Sequence, residues 1–87
     1  MNRVAVIGAG NMGSGIAQKF AMEGVEVLLV DLSEDAIQRG LGMISALLDQ
    51  GVERRVFTAN RAEAIKGRLR GTTDYKDLAD CQLVVEA

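Results

Sequence analysis

The sequence predicts an α/β fold built on a doubly wound parallel sheet, and three observations carry that prediction. Short apolar runs (Val4–Ile7, Val25–Asp31 up to its acidic last residue, Gln82–Glu86 around Leu83-Val84-Val85) lack the alternation of a half-solvated sheet, as strands buried on both faces require. Between them stand segments whose apolar residues recur at helical spacing. A glycine-rich turn, Gly8–Gly13, falls between the first such strand and the first such helix. Alternation of this kind implies right-handed crossovers, with helices expected on both faces of the sheet.

Val4-Ala5-Val6-Ile7 is a continuous β-compatible run that Gly8 ends. Residues 12–23 place Met12, Ile16, Ala17, Phe20 and Ala21 on one helical face, and Gly24 follows as a terminator. Residues 25–31 read as the second strand. Ser33 has the chemistry of an N-cap, and Glu34 and Asp35 complement the positive end of the helix dipole behind it. That helix carries Ile37, Leu41, Ile44 and Leu48 on one stripe and is expected to stop at Gly51. Gly40 and Gly42 inside it each cost about 1 kcal/mol relative to alanine, which points to close backbone packing or to a weak helix, packing being favoured. A further helix over about residues 60–70 takes Thr58 or Asn60 as its cap, Asn60 having capping-box spacing to Glu63, and ends at Gly71. Thr72-Thr73 reads as a very short strand, residues 75–80 as a turn of helix, and 82–86 as the last strand.

Composition narrows the chemistry. The chain has 87 residues, no histidine, no proline, one cysteine and three aromatic residues. Imidazole-based acid–base catalysis and histidine-dependent triads are therefore excluded within it. Zinc is nearly so, since Cys81 is the one soft ligand. A lone cysteine forbids an internal disulfide and fits a reducing, cytoplasmic setting. With ten basic and twelve acidic residues the net charge is −2, which does not favour nucleic-acid binding. No run of about 18 apolar residues predicts a membrane span, and no basic-then-apolar leader precedes Val4.

The informative motif is Gly8-Ala9-Gly10-Asn11-Met12-Gly13. The Gly-x-Gly-x-x-Gly pattern alone is weak evidence, but here it follows a predicted strand, opens a predicted helix and lies in a βαβ unit. Gly8 then makes the tight turn, Gly10 lets a pyrophosphate approach the backbone, and Gly13 lets helix and sheet pack closely. The free amides around Asn11 and Met12 meet the phosphate charge. Asp31 follows Gly13 by 18 positions, at the end of the second strand, where a carboxylate accepts hydrogen bonds from the adenosine ribose hydroxyls and repels a 2′-phosphate. Neither Leu32 nor Ser33 beside it is basic, so NAD is expected over NADP. FAD-binding proteins share the fingerprint but commonly show glutamate at this place. The motif makes the fold a partial Rossmann fold, with strand order 3-2-1-4 and a crevice between strands 1 and 4.

Four blocks of sequence, Val4–Gln18, Val30–Glu34, Gly71–Asp74 and Leu83–Ala87, resemble the N-terminal NAD-binding domain of the 3-hydroxyacyl-CoA dehydrogenases in the family's order and approximate spacing. The form Gly-x-Met-Gly-x-Gly-Ile-Ala is narrower than the general fingerprint, and the helical hairpin between strands 2 and 3 is part of the likeness. The resemblance implies NAD as cofactor and acyl-CoA as substrate, the 3-hydroxyl being oxidised to a ketone in fatty-acid or butanoate metabolism. It implies cofactor contacts at Gly8, Ala9, Gly10, Asn11, Met12, Gly13 and Asp31, and at Glu86 and Ala87 after the fourth strand. The family's histidine–glutamate pair, with its serine and asparagine, maps to no residue here. On this reading residues 1–87 are the N-terminal part of the cofactor domain, without its remainder or the helical second domain. The alternative is a catalytically inactive half-Rossmann module that holds only the adenosine half of NAD.

Residues 54–70 carry six cations against Glu63, a local +5 in a chain of net −2. The resemblance, in which the hairpin borders the acyl-CoA cleft, implies Arg54 and Arg55 as candidates for attracting coenzyme A phosphates, the plainer reading being a solvated helix face. No aromatics interleave with these cations, as single-stranded nucleic-acid binding would require. Cys81 reads as a small residue at a helix–strand junction. Strand 4 is expected at the sheet edge, where its unpaired backbone predicts self-association or else disorder of residues 82–87.

Overall fold

The computed structural model describes residues 2–87. Strand β1 (Arg3–Ile7) leads into helix α1 (Asn11–Met22), strand β2 (Glu26–Val30), helix α2 (Glu34–Glu53), helix α3 (Ala59–Lys66) and strand β3 (Leu69–Thr72). A 3-10 helix (Tyr75–Asp80) then joins β3 to strand β4 (Leu83–Glu86). The sheet has the order β3-β2-β1-β4, with every pairing parallel. Val6 of the central strand lies level with Leu29 of β2 and Val85 of β4, and Leu29 lies level with Gly71 of β3. This is the half-Rossmann topology that the sequence predicts.

Alternate residues of a strand face opposite sides. Val4, Val6, Val27 and Leu29 form one core with Ala17 and Ala21 of α1, Ile37, Ile44 and Leu48 of α2, and Ala62 and Ile65 of α3. All three α-helices therefore cover one face. The expectation of helices on both faces fails for a topological reason. The crossovers β1-α1-β2 and β2-α2-α3-β3 are right-handed and advance in the same direction, so their helices fall on the same side. Only the 3-10 helix spans the reversal between β3 and β4, and Thr72 Oγ1 donates to Asp77 Oδ2 across it at 2.7 Å.

Helix α2 starts where Ser33 predicts, its Oγ accepting from Ala36 N at 3.2 Å. It does not stop at Gly51 but continues to Glu53 and closes in a Schellman turn: Arg55 N donates to Val52 O at 3.1 Å and Val56 N to Gly51 O at 2.8 Å. The left-handed residue of that turn is Arg55, at φ 58°, and Gly51 serves packing, since a Cβ there would strike the Phe57 ring. Helix α3 is capped by Thr58, which accepts from Arg61 N at 3.2 Å, and Asn60 lies inside it. It ends at Lys66, short of the expected Gly71, because the chain from Arg68 onward pairs with β2: Val27 N donates to Arg68 O at 2.8 Å. Gly71 is a strand residue, and a Cβ on it would strike Ile37 of α2. Among the described residues no helix is long and apolar enough to cross a membrane.

Candidate functional site

The carboxyl ends of β1, β2 and β4 converge on the glycine turn. Gly8 leaves β1 at φ 103°, in the region that favours glycine, while its N–H donates to Val30 O at 2.7 Å and ties the ends of β1 and β2 together. A Cβ on Gly13 would fall on the Gly8 carbonyl oxygen, so this contact between helix and turn exists only with glycine. In front of Gly10 the space is open, with no atom within 4 Å of where its Cβ would sit. Gly10 is the N-cap of α1; no side chain bonds to the first turn, and no acidic residue lies in it. The amides at the start of this 12-residue helix thus face that open space with the positive end of its dipole. Asn11 and Met12 are exposed there, Met12 at 71%.

Asp31 follows β2 and closes the turn from the other side. Its Oδ2 accepts from Ala9 N and its Oδ1 from Ser33 N, each at 3.0 Å. Hydrogen bonds from the Ser33 and Ala9 amides hold its carboxyl below the usual carboxylate range, with a smaller contribution from the Arg39 charge. The group is therefore ionised at neutral pH, and these bonds weaken only when pH falls below that range. Each oxygen has used one acceptor position and retains another for a ligand. The Ala9 N–H is already engaged by Asp31, so at Ala9 the backbone shapes the turn and offers no amide to a phosphate.

Beyond β4, Ala87 N donates to Ile7 O at 3.0 Å, and the Ala87 methyl lies 3.3 Å from where a Gly13 Cβ would be. Glu86 is level with Ile7 and exposed. The structure thus gathers Gly8–Gly13, Asp31, Glu86 and Ala87 at one end of the sheet. Arg54 and Arg55 are not brought there. They are exposed in the turn after α2, whose 20 residues put them about 30 Å along the helix from its start. Their neighbours in the basic run are partly occupied: Lys66 pairs with Asp49 at 2.7 Å, and Arg68 Nη1 donates to Ala21 O at 2.9 Å. Burial pushes the Cys81 thiol up, the reverse of an activated nucleophile.

Two participants, Ser14 and Arg39, escaped the sequence reading, and a third, Gly40, bears out the close packing expected of it. Ser14 is fully buried and donates from Oγ to Ala9 O at 3.1 Å, fixing the turn from inside α1. Gly40 lets α2 lie against both groups: its Cβ would stand 2.6 Å from Ser14 Oγ and 3.0 Å from Ala9 O. Arg39 beside it lines a groove of about 460 Å³ with Ala9, Gly10, Asn11, Gly40 and Met43. The two glycines in α2 were the available signal for the first contact. Nothing local marks Ser14 or Arg39.

The family described as 3-hydroxyacyl-CoA dehydrogenase, NAD binding domain, matches residues 3–87. A probable 3-hydroxybutyryl-CoA dehydrogenase of Deinococcus radiodurans is 44% identical over 85 residues, covering 98% of this chain and 30% of that protein. The fatty acid oxidation complex subunit alpha of Pseudomonas putida is 44% identical over 88 residues, with 100% of this chain and 12% of that protein covered. Among solved structures, the (S)-3-hydroxybutyryl-CoA dehydrogenase PaaH1 of Ralstonia eutropha superposes with a TM-score of 0.96 at 36% identity, over 100% of this chain and 31% of that one. The 3-hydroxybutyryl-CoA dehydrogenase of Escherichia coli gives 0.95 at 44% identity, over 98% of this chain and 18% of that one. The chain therefore spans less than a third of the length of each of these relatives.

Proposed function

The chain belongs to the 3-hydroxyacyl-CoA dehydrogenase family, through its NAD-binding domain, and from that premise we propose that it holds the adenosine half of NAD for a dehydrogenase converting 3-hydroxyacyl-CoA to 3-oxoacyl-CoA. The observation that carries this reading is the clasp of Asp31 on Ala9 N at 3.0 Å, which sets an ionised carboxylate beside the phosphate-cradling turn. The residues fit the cofactor. The space before Gly10 admits a pyrophosphate, the uncapped first turn of α1 offers it amides, and the free acceptor positions of Asp31 take the ribose hydroxyls. When bound, NAD supplies the hydride acceptor. The chain's own part is to bind and orient it, with Asn11, Met12, Glu86 and Ala87 bordering the bound dinucleotide. Lacking histidine, the chain contains no imidazole to move the substrate proton, so on this reading the chemistry is completed outside residues 1–87.

Calorimetric titration with NAD, 5′-ADP and NADP tests the assignment. NAD and ADP bind, and NADP binds about tenfold more weakly because Asp31 repels its 2′-phosphate. Asp31→Ala removes that discrimination. Equal affinity for NADP in the wild type, or undiminished NAD binding by a folded Asp31→Ala chain, defeats the ribose assignment.

Two further readings belong to this proposal. Arg54 and Arg55, free of ion pairs among the described residues, attract the phosphates of the acyl-CoA substrate in the complete enzyme. Replacing both with glutamine there raises the KM for acyl-CoA and leaves NAD affinity alone; an unchanged KM returns them to a solvated helix end. The open edge of β4 is a surface for self-association of this chain.

A further inference from the structure

The groove beside the glycine turn contains a cation, Arg39, whose charge makes only a minor contribution to the ionisation of Asp31. Arg39 lies on the second turn of α2, next to Gly40, and it is through Gly40 that α2 rests on Ser14 and Ala9. The close packing that brings the helix onto the turn brings Arg39 to the wall of a groove shared with Gly10 and Asn11, the start of α1. Its helix neighbour at i−4 is Asp35, the ordinary surface partner for an arginine at this spacing. No ion pair forms between them, and among the described residues the Arg39 guanidinium has no ion-pair or hydrogen-bond partner. The first turn of α1 contains no acid either. Two positive features, the helix-start amides and a free guanidinium, thus flank one open groove. Asp31, the nearby anion, accepts from the Ala9 and Ser33 amides and, among the described residues, forms no ion pair with Arg39.

We propose that Arg39 is the phosphate-facing cation of this site and sets its preference for adenosine bearing a 5′-diphosphate over adenosine without phosphate. The inference rests on the dinucleotide reading above and adds to it a specificity-determining residue. Guanidinium suits the task because it stays charged and pairs with phosphate through several donors. Exposure keeps the attraction modest and sensitive to salt.

The test measures equilibrium binding of 5′-ADP, adenosine and 2′-AMP to the wild-type chain, Arg39→Gln and Arg39→Lys, at low and high salt. Arg39→Gln weakens ADP about fivefold, the upper end for one exposed ion pair, leaves adenosine unchanged and flattens the salt dependence for ADP. Arg39→Lys keeps most of the ADP affinity. Equal losses for ADP and adenosine make the side chain merely structural and overturn the proposal, as does a loss confined to 2′-AMP. A wild type that binds ADP no better than Arg39→Gln overturns it alone, with the dinucleotide reading intact. A wild type that binds none of the three overturns both.

Discussion

Gly40 and Gly42 are two residues apart on α2, yet only Gly40 has to be glycine. Around Gly42 nothing lies within 4 Å of where a methyl would sit, so Gly42→Ala adds helix propensity without a clash and stabilises the chain by about 1 kcal/mol. Gly40→Ala gains the same propensity but drives its methyl to 2.6 Å from Ser14 Oγ and 3.0 Å from Ala9 O. The second contact is backbone and yields poorly, so overpacking of about 1–3 kcal/mol outweighs the gain. Urea midpoints at constant m-value separate the two variants, and a destabilised Gly42→Ala or a stabilised Gly40→Ala contradicts this account. The sequence treats the pair alike, because what distinguishes them is a serine 26 positions upstream of Gly40. Asp31 shows the same limit. Its place at the end of β2 was legible from the interval to Gly13, whereas its bond to Ala9 N belongs to two loops that only the folded sheet brings together.

At the level of elements, local chemistry located every start that has a capping side chain and misplaced the ends that depend on packing. Ser33 opens α2, and Thr58, one of the two candidates, opens α3. Helices α1 and α2 both close in Schellman turns. In α1 the left-handed position is Gly24, at φ 92°, with Gly24 N donating to Ala21 O at 3.2 Å and Val25 N to Phe20 O at 3.1 Å. In α2 the same position falls to Arg55, and the glycine that looks like a terminator lies inside the last turn against Phe57. A glycine in sequence therefore marks either backbone freedom or lack of volume, and composition does not tell them apart. Strand β3 was misread for a related reason. Leu69-Arg70-Gly71-Thr72 contains one aliphatic residue and follows a basic helix, so it looks like the helix's own end. Its strand character comes from pairing with β2 at the sheet margin, which is tertiary information.

For the whole molecule, one consequence follows from the strand order. Strand β4 pairs with β1 on one side alone, and among the described residues nothing pairs with its other side. Leu83 and Val84 are 38% and 44% exposed on that strand, which carries no proline or inward-pointing charge to discourage pairing. Two copies related by a two-fold axis normal to the sheet can add β4 to β4 antiparallel, centred on Val84. That register puts Val84 opposite Val84 and Leu83 opposite Val85, residues that share a face of the sheet, so neither copy has to turn its core side outward. A slip of two residues, the smallest that keeps like faces together, moves the centre to Val85 and sets Val84 against the charged Glu86. The Val84-centred register is therefore the one with three apolar levels in succession. Sedimentation equilibrium checks this: the apparent mass of the wild type rises with concentration, while Val84→Lys, which places like charges directly opposite, stays monomeric with unchanged far-ultraviolet circular dichroism. A wild type that remains monomeric at every concentration, with residues 83–85 protected from amide exchange, rules the edge pairing out.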